Sequence, residues 1–265
     1  MECKPLSGAE ESLVLVEVAD AVATLTLNRA EKRNAVSVAV IRELEQCLDT
    51  LPDSVRCLVL AARGEHFSAG LDLAEVPDMT AAQGVMHSRS WYGAFGKLQF
   101  GRVPVVCAMQ GAVVGGGLEL AACAHVRVAD ETAYFGLPEG QRGIFLGGGG
   151  SVRVSRLIGF SRVTEMMLTG RVYGAEDAFR IGLTHHVVPA GGALTKAREL
   201  ALRIARNAPM SNFAILHALP IIAEQSMAQG LLTESLMAAV TQSEPEAKQR
   251  VAEFLAKRAA KVERA

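Results

Sequence analysis

The stretch VVCAMQGAVVGGGLELA, residues 105–121, has the pattern of a strand, a glycine turn and a helix in direct succession. Residues 105–109 are apolar and rich in valine, which predicts a buried strand, and residues 118–124 predict a short helix. Three consecutive glycines, Gly115 to Gly117, separate the two elements. Glycine loses much conformational entropy on folding and has no side chain to pack, so this turn indicates a backbone that something must approach closely.

The start of the following helix has the chemistry of an anion site. Its first N–H groups have no partner within the helix and the helix dipole is positive there, which suits an anion or a developing oxyanion. Two nucleotide-binding motifs fail, since Gly117 stands where a Walker A lysine is needed and the spacing does not fit GxGxxG. A tight packing turn between strand and helix remains the structural alternative.

Composition limits the class of protein. The 265 residues are 50% hydrophobic and 21% charged, which predicts a folded chain with a sizeable core. The formal net charge is -1, from 27 basic and 28 acidic residues. The chain therefore has no excess of basic residues that would predict binding to nucleic acid or to an anionic membrane. No apolar run reaches about 18 residues, so no transmembrane helix is expected.

The cysteines and the first residues predict a cytoplasmic location. The five cysteines are widely spaced without a CxxC pair, so neither a disulfide framework nor a zinc site is expected. They are interpreted as small buried side chains in a reducing compartment. Residues 1–11 are polar and lack the apolar core of a signal peptide. His185 and His186 are adjacent in a predicted strand and point to opposite faces, which disfavours a metal site there.

The order of elements predicts an α/β protein with a helical C-terminal region. A hairpin is expected over 12–28, a helix from Ser37 to Leu51, a strand over 57–61 and a helix over 80–100. Further strands are expected at 125–129 and 185–189. Helices are expected at about 148–158, 161–169, 175–181, 191–207, 211–226, 229–242 and 245–259. We therefore expect a core over residues 1–190 and a helical region over 191–265.

Three further segments combine glycine with polar residues. HFSAGLDL (66–73) follows a predicted strand and could present the Leu71 amide outward, or be an ordinary turn with Asp72 as a cap. FGLPEGQRG (135–143) is a rigid loop around Glu139, which alone would indicate a solvated surface residue. Gly147 to Gly150 predict either a pocket-wall turn or a helix start that faces an anion.

Together these segments resemble the crotonase superfamily of enoyl-CoA hydratases and isomerases. The matching stretches also include LTLNRAEKRNAVS (25–37), MLTGR (167–171) and FLAKR (254–258), so the resemblance covers nearly the whole chain. VVGGGLELA and LPEGQRGIF are similar to the versions of the methylthioacryloyl-CoA hydratase branch. The resemblance implies a crotonase-type spiral of ββα units. It also implies a homotrimer or homohexamer, with the helical region 191–265 as the trimerisation region.

The resemblance implies an oxyanion hole made by the amides of Leu71 and Gly116. It implies two catalytic glutamates, which we interpret as Glu119 for the water-activating base and Glu139 for the acid at Cα, with shared or reversed roles left open. The implied reaction adds water to a 2-enoyl-CoA thioester without metal or redox cofactor, and coenzyme A enters as part of the substrate. Isomerisation, thioester hydrolysis and non-catalytic acyl-CoA binding remain alternatives.

The resemblance also implies where coenzyme A is bound. Lys32, Arg33 and Ala35 are expected near its nucleotide, although Lys32 and Arg33 could also form a solvated turn. Phe254 and Lys257 are expected to reach coenzyme A, although an amphipathic terminal helix explains them equally well. The adenine and pantetheine are expected along Ala69, Gly70, Asp72 and Leu73. The helix over 80–100, with His87, Trp91 and Phe95, could cover the acyl pocket or be an ordinary packed helix.

Overall fold

The computed structural model describes residues 12–75 and 79–256. The described chain divides into two compact units, the first ending at Ala205 and the second beginning at Arg206. The first unit extends beyond the predicted boundary at residue 190 because the helix Ala193–Ala205 packs on the main sheet through Ala193, Ala197 and Ala201. The α/β class predicted from the sequence is confirmed.

A six-stranded sheet forms the centre of the first unit. Its strands are β1 (Val14–Ala19), β2 (Val22–Leu27), β3 (Cys57–Ala62), β4 (Val105–Met109), β6 (Val126–Asp130) and β9 (His186–Val188), in the order β1-β2-β3-β4-β6-β9. Only the β1–β2 hairpin, predicted over 12–28, pairs antiparallel within this sheet. The strands β3 and β4 are buried along almost their whole length, as expected for parallel strands covered on both faces.

A smaller sheet lies next to the glycine turn. It comprises β5 (Ala112–Val114), β7 (Tyr134–Gly136) and β8 (Val172–Gly174), in the order β5-β7-β8. An isolated parallel bridge joins Ser68 to Val113 and so connects the loop after β3 to this sheet. The sequence reading missed all three strands, because three-residue strands are too short to show a period.

Seven α-helices complete the described part of the first unit: α1 (Val38–Asp49), α2 (Ala81–Gln99), α3 (Gly116–Ala121), α4 (Gly150–Ile158), α5 (Phe160–Thr169), α6 (Ala175–Arg180) and α7 (Ala193–Ala205). The expected start of the first helix at Ser37 is confirmed, since its side chain accepts a hydrogen bond from the Val40 amide. Thr80 and Gln83 form a capping box that starts α2.

The second unit is helical. It contains α8 (Pro209–Phe213), a π-helical turn (Ala214–Ala218), α9 (Leu219–Glu224), α10 (Met227–Ser243) and α11 (Pro245–Leu255). The helix expected over 211–226 is present as one uninterrupted helical stretch over 209–224, with the π-helical turn inside it. Pro220, which has no amide to donate to an α-helical bond, lies just after that turn. No helix in residues 12–75 and 79–256 is long and apolar enough to cross a membrane.

Candidate active site

Ser68 fixes the loop that carries Leu71. It is fully buried; its amide donates to the Ala112 carbonyl at 2.9 Å and its hydroxyl donates to the Asn34 carbonyl at 2.8 Å. The same hydroxyl accepts a hydrogen bond from the Gly70 amide at 3.2 Å. Ser68 thus connects the peptide just before Leu71 both to the turn around Asn34 and to β5.

Asn34 holds the turn on which Ser68 rests. Its backbone has a φ of 51°, a conformation that asparagine tolerates better than most residues. The buried side-chain amide donates to the carbonyls of Arg63 and His66 at 2.8 Å each, and its oxygen accepts from the Arg29 amide. This network fixes the relative positions of the loop before α1 and the loop after β3.

The amides of Leu71 and Gly116 converge. The Gly70 carbonyl and the Asp72 amide both bond to Val36, so the Leu71 amide points to the opposite side, as a trans peptide requires. A Cβ on Gly116 would lie 3.2 Å from the Leu71 nitrogen, and a Cβ on Gly70 would lie 3.3 Å from the Gly116 nitrogen. Within residues 12–75 and 79–256, neither amide donates to a protein acceptor. Both are therefore available to a single external oxygen.

Glu119 is a buried carboxylate held at the start of a helix. It lies on α3 and is 3% exposed, and its Oε1 accepts hydrogen bonds from the amides of Gly148 and Gly150 at 2.8 Å each. These amides belong to the N-terminus of α4, where the helix dipole favours negative charge. Burial raises the pKa of Glu119 above its usual value, and the two amides and the Arg153 charge offset only part of this rise.

Glu139 is also buried, but fewer hydrogen bonds stabilise its charged form than stabilise that of Glu119. It precedes the short 3-10 helix Gly140–Arg142 and is 6% exposed. Its Oε2 is buried without a hydrogen-bond partner among the described residues. The pKa of Glu139 is raised to about 7, mainly by burial and also by the nearby Glu119 charge, while its own amide and Arg142 oppose the rise. Glu139 therefore takes up a proton more readily than an ordinary glutamate does.

One pocket of about 320 Å³ brings these groups together. Leu71, Gly116, Glu119 and Glu139 all line it, and α2 contributes His87 and Trp91. The convergence predicted for the first four residues, which are far apart in the sequence, is thus present in the structure. Two amides directed at one oxygen can stabilise an enolate, and two carboxyl groups beside them can move protons.

The helix predicted over 80–100 packs against the hydrophobic core and also lines the pocket. Trp91 and Phe95 are buried, and their rings meet edge to face with centroids 5.5 Å apart. A Cβ on Gly116 would lie 3.0 Å from the Trp91 ring, so glycine lets the ring approach the turn. In the described part of the chain, the buried side-chain polar atoms without a partner are His87 Nε2, Trp91 Nε1 and Glu139 Oε2, and all belong to pocket residues.

Seven of the nine residues expected to bind coenzyme A lie in two neighbouring segments, 32–35 and 69–73, and none of these seven lines the pocket. The exposed Lys32 and Arg33 precede the half-buried Ala35, and the Arg33 carbonyl accepts a hydrogen bond from the Ala69 amide at 2.9 Å. Asp72 forms an ion pair with Arg29 at 2.6 Å, and this hydrogen bond holds the pKa of Asp72 below its usual value.

The other residues expected to contact coenzyme A differ in their surroundings. Gly70 is buried against the glycine turn, and Leu73 is 46% exposed. Phe254 lies in the second unit and is 63% exposed, and Lys257 lies outside the described residues. Among the described residues, no group of three histidine, cysteine, aspartate or glutamate side chains is arranged to hold a metal ion.

The comparison with known protein families decides the relationship. A family model described as enoyl-CoA hydratase/isomerase matches residues 17–264. The chain belongs to the enoyl-CoA hydratase/isomerase family. This is the crotonase superfamily that the sequence motifs resemble, so that prediction is confirmed.

The similarity to individual enoyl-CoA hydratases covers most of the chain. A probable enoyl-CoA hydratase of Mycobacterium tuberculosis is 34% identical over 248 residues, which cover 93% of this chain and 96% of that protein. A mevalonyl-coenzyme A hydratase of Aspergillus fumigatus is 38% identical over 191 residues, covering 71% and 70%. A solved structure from Rhodopseudomonas palustris is 49% identical, covers 96% of this chain and 98% of that chain, and superposes with a TM-score of 0.91. The predicted crotonase-type fold is thereby confirmed.

Residues that the sequence reading did not assign complete the site. Gly148 and Gly150 supply the amides that hold Glu119, and the run Gly147 to Gly150 had indicated such a helix start. The roles of Ser68 and Arg153 had no signal of their own, because each acts through bonds to residues far away in the sequence.

Proposed function

We propose that the chain hydrates 2-enoyl-CoA thioesters. The observation that supports this is the convergence of the Leu71 and Gly116 amides with the Glu119 and Glu139 carboxyl groups on one pocket. The two amides would bind the thioester oxygen and stabilise the negative charge that it gains when water attacks Cβ. Membership of the enoyl-CoA hydratase/isomerase family supports a reaction of this class.

Glu119 would act as the base and Glu139 as the acid. Glu119 has two amides and Arg153 to stabilise its ionised form, whereas one oxygen of Glu139 has no partner in the described chain. In the proposed step the water oxygen bonds to Cβ and its proton moves to Glu119. The electron pair of the double bond moves into the enolate, and Glu139 gives its proton to Cα.

Coenzyme A would enter as part of the substrate. Lys32 and Arg33 supply positive charge suited to its phosphates, and they lie beside the segment from Ala69 to Leu73. Ala35, Gly70 and Asp72 would complete this binding surface. We propose no metal or redox cofactor, because the step above balances with water and two carboxyl groups.

Substitution of each glutamate tests the proposal. Glu119→Gln and Glu139→Gln each remove a proton acceptor or donor with little change in size, so hydration of crotonyl-CoA should fall by at least about 10²-fold. Binding of a saturated acyl-CoA, measured by calorimetry, should persist. Glu131→Gln, at an exposed position, is the control and should keep full activity. Unchanged turnover in either active-site variant would contradict the two-carboxylate mechanism.

Product analysis separates the proposed hydratase from other family reactions. With 2-enoyl-CoA and 3-enoyl-CoA substrates, a hydratase gives a 3-hydroxyacyl-CoA, an isomerase moves the double bond, and a hydrolase releases free coenzyme A. Binding without turnover of any substrate would indicate an acyl-CoA-binding subunit. Methylthioacryloyl-CoA belongs in the substrate panel, because VVGGGLELA and LPEGQRGIF resemble that branch.

We also propose that the chain forms a homotrimer or homohexamer through its C-terminal helices. Large apolar side chains of α10 are exposed in the single chain, including Leu231, Leu232 and Leu236 at 57–62%. Exposed apolar surface on this scale is typical of a protein interface. A cytoplasmic location is supported by Cys57, Cys107 and Cys123, which are buried free thiols.

A further inference from the structure

Arg153 connects the loop around Glu119 to the end of helix α2. Its Nη1 donates to the Gly148 carbonyl at 2.8 Å, and its Nε donates to Oε1 of Gln99 at 2.6 Å. The guanidinium carbon lies 6.0 Å from the centre of the Phe95 ring. Arg153 is therefore held by α2 on one side and holds the loop before α4 on the other.

Gly148 is bound on both of its polar groups. Its amide donates to Glu119 and its carbonyl accepts from Arg153, so consecutive peptides on either side of the Gly148 Cα carry the two bonds. A movement of the arginine would therefore shift the backbone that holds the carboxylate. The next residue is fitted to the same arginine. Gly149 has a φ of 94°, and a Cβ there would lie 2.2 Å from Nη1 of Arg153. The left-handed φ favours glycine at position 149, and a side chain there would also displace the guanidinium from its place.

The charged and titratable groups around Glu119 come from several elements. Glu139 follows β7, the Cys123 thiol follows α3, Arg153 lies on α4, and His87 faces the same pocket from α2. Arg153 contributes a positive charge that favours the ionised Glu119. The Glu139 carboxyl has an opposing effect whenever it is ionised.

We propose that Arg153, oriented by Gln99, is a positioning residue that keeps the Gly148 and Gly150 amides on Glu119 and thereby keeps the negative charge of the glutamate pair on Glu119. Its kinetic consequence rests on the proposed hydratase function, whereas its effect on the Glu119 carboxyl does not. Arg153 does not line the pocket and acts on the reacting atoms through Glu119.

Titration of the carboxyl groups tests this role directly. Glutamate labelled with ¹³C at the carboxyl carbon gives a signal for Glu119, assigned with Glu119→Gln. Arg153→Met keeps much of the aliphatic length but removes the charge and both hydrogen bonds, so the Glu119 midpoint should rise by about one pH unit or more. In Arg153→Lys the Glu119 midpoint should lie between those of the wild type and Arg153→Met, because lysine keeps the positive charge. Arg156→Met, at an exposed position of the same helix, should leave the midpoint unchanged.

Kinetics provides the second measurement. In Arg153→Met, kcat for hydration of crotonyl-CoA should fall by roughly tenfold or more, with KM nearly unchanged, because Arg153 does not line the pocket. If Arg153→Met does not fold, Gln99→Leu replaces it, since it removes the acceptor that orients the guanidinium; its shift should be smaller and in the same direction.

The two proposals fail in different ways. A Glu119 midpoint that stays the same in folded Arg153→Met, or in Gln99→Leu when that variant replaces it, overturns the positioning role. A midpoint that rises as expected in a protein that hydrates no enoyl-CoA supports the positioning role and contradicts the proposed function. An equal shift in Arg156→Met would also overturn the proposal, because the effect would then come from general positive charge.

Discussion

Gly115 lies directly against the carboxyl group of Glu139: a Cβ at position 115 would come within 2.7 Å of its Oε1. Gly115 also has a φ of 51° and immediately precedes α3, whose first residue carries the Gly116 amide. The same turn therefore presents the proposed oxyanion donor and forms one wall around the proposed acid. Two features therefore favour glycine at position 115: the positive φ of its backbone and the close approach of the Glu139 carboxyl group.

Gly115→Ala should accordingly reduce activity and stability together. The added methyl group must displace the Glu139 carboxyl or the backbone, and the positive φ is strained for alanine, so we expect a loss of about 1–3 kcal/mol in the free energy of unfolding. kcat for hydration should fall by about tenfold or more. Denaturant unfolding and steady-state kinetics measure the two effects.

Gly96→Ala is the matched control for this substitution. Gly96 lies within α2, has no positive φ, and has open space where its Cβ would be. Alanine should therefore increase the free energy of unfolding by about 0.5–1 kcal/mol and leave kcat unchanged. Wild-type kcat in Gly115→Ala would show that Glu139 is not seated as the structure indicates.

The activity of the enzyme should depend on the protonation of Glu139. Its pKa is raised to about 7, and the proposed acid must carry a proton to deliver it to Cα. kcat/KM should therefore be insensitive to this group below pH 7 and fall by about tenfold per pH unit well above it. A pH profile with crotonyl-CoA measures this. A rate that rises through pH 7 would instead indicate that Glu139 works as the base.

The same pKa shift predicts how stability changes with pH. The pKa of Glu139 is higher in the folded chain than the ordinary value of 4.5, so between about pH 4.5 and 7 the folded state binds more protons than the unfolded state. The contribution of this group to the free energy of unfolding should therefore decrease as the pH rises through that window and level off above it. Comparison of wild type with Glu139→Gln, which cannot titrate, isolates this contribution. Parallel stability curves for the two proteins would contradict the expectation.

The glycine turns of the site could be predicted from the residues themselves, and the convergence of Leu71, Gly116, Glu119 and Glu139 only from the family resemblance. The contacts that support these four residues could not be predicted. Gly115 to Gly117 and the segment 66–73 marked the amides because glycine leaves a visible signal where a backbone must approach closely. The bonds from Gly148 and Gly150 to Glu119 were only suggested by a glycine run. Arg153 gave no signal, because its partners Gln99 and Gly148 depend on how α2 and α4 pack.

The same distinction holds for the fold. The hairpin over 12–28 was predictable because its two strands are adjacent in the sequence. The sheet β5-β7-β8 was not, because three short strands become a sheet only through pairing between distant segments.

Ser68→Ala should separate positioning of the oxyanion hole from binding. Loss of the hydroxyl leaves the buried Asn34 carbonyl and the Gly70 amide without their partner, which should cost about 1–3 kcal/mol of stability. The amide of Leu71, the proposed oxyanion donor, is next in the chain after Gly70 and would be displaced with it. We therefore expect kcat to fall more than the affinity for acyl-CoA. Ser90→Ala is the control, since that hydroxyl is exposed and bonds only within α2. Equal losses in kcat and in acyl-CoA affinity would argue against a role in the oxyanion hole.

The exposed apolar face of α10 should control the oligomeric state. Leu232 and Leu236 are 62% and 59% exposed and lie one turn apart on the same side of the helix. If that side is covered by another copy of the chain, Leu232→Glu combined with Leu236→Glu would bury two charges in the interface at a prohibitive cost. Light scattering during gel filtration should then give three or six times the 28.1 kDa chain mass for the wild type and a smaller assembly for the double variant. Glu234→Gln on the same helix should leave the mass unchanged, and a wild-type chain that runs as a monomer would refute the proposed assembly.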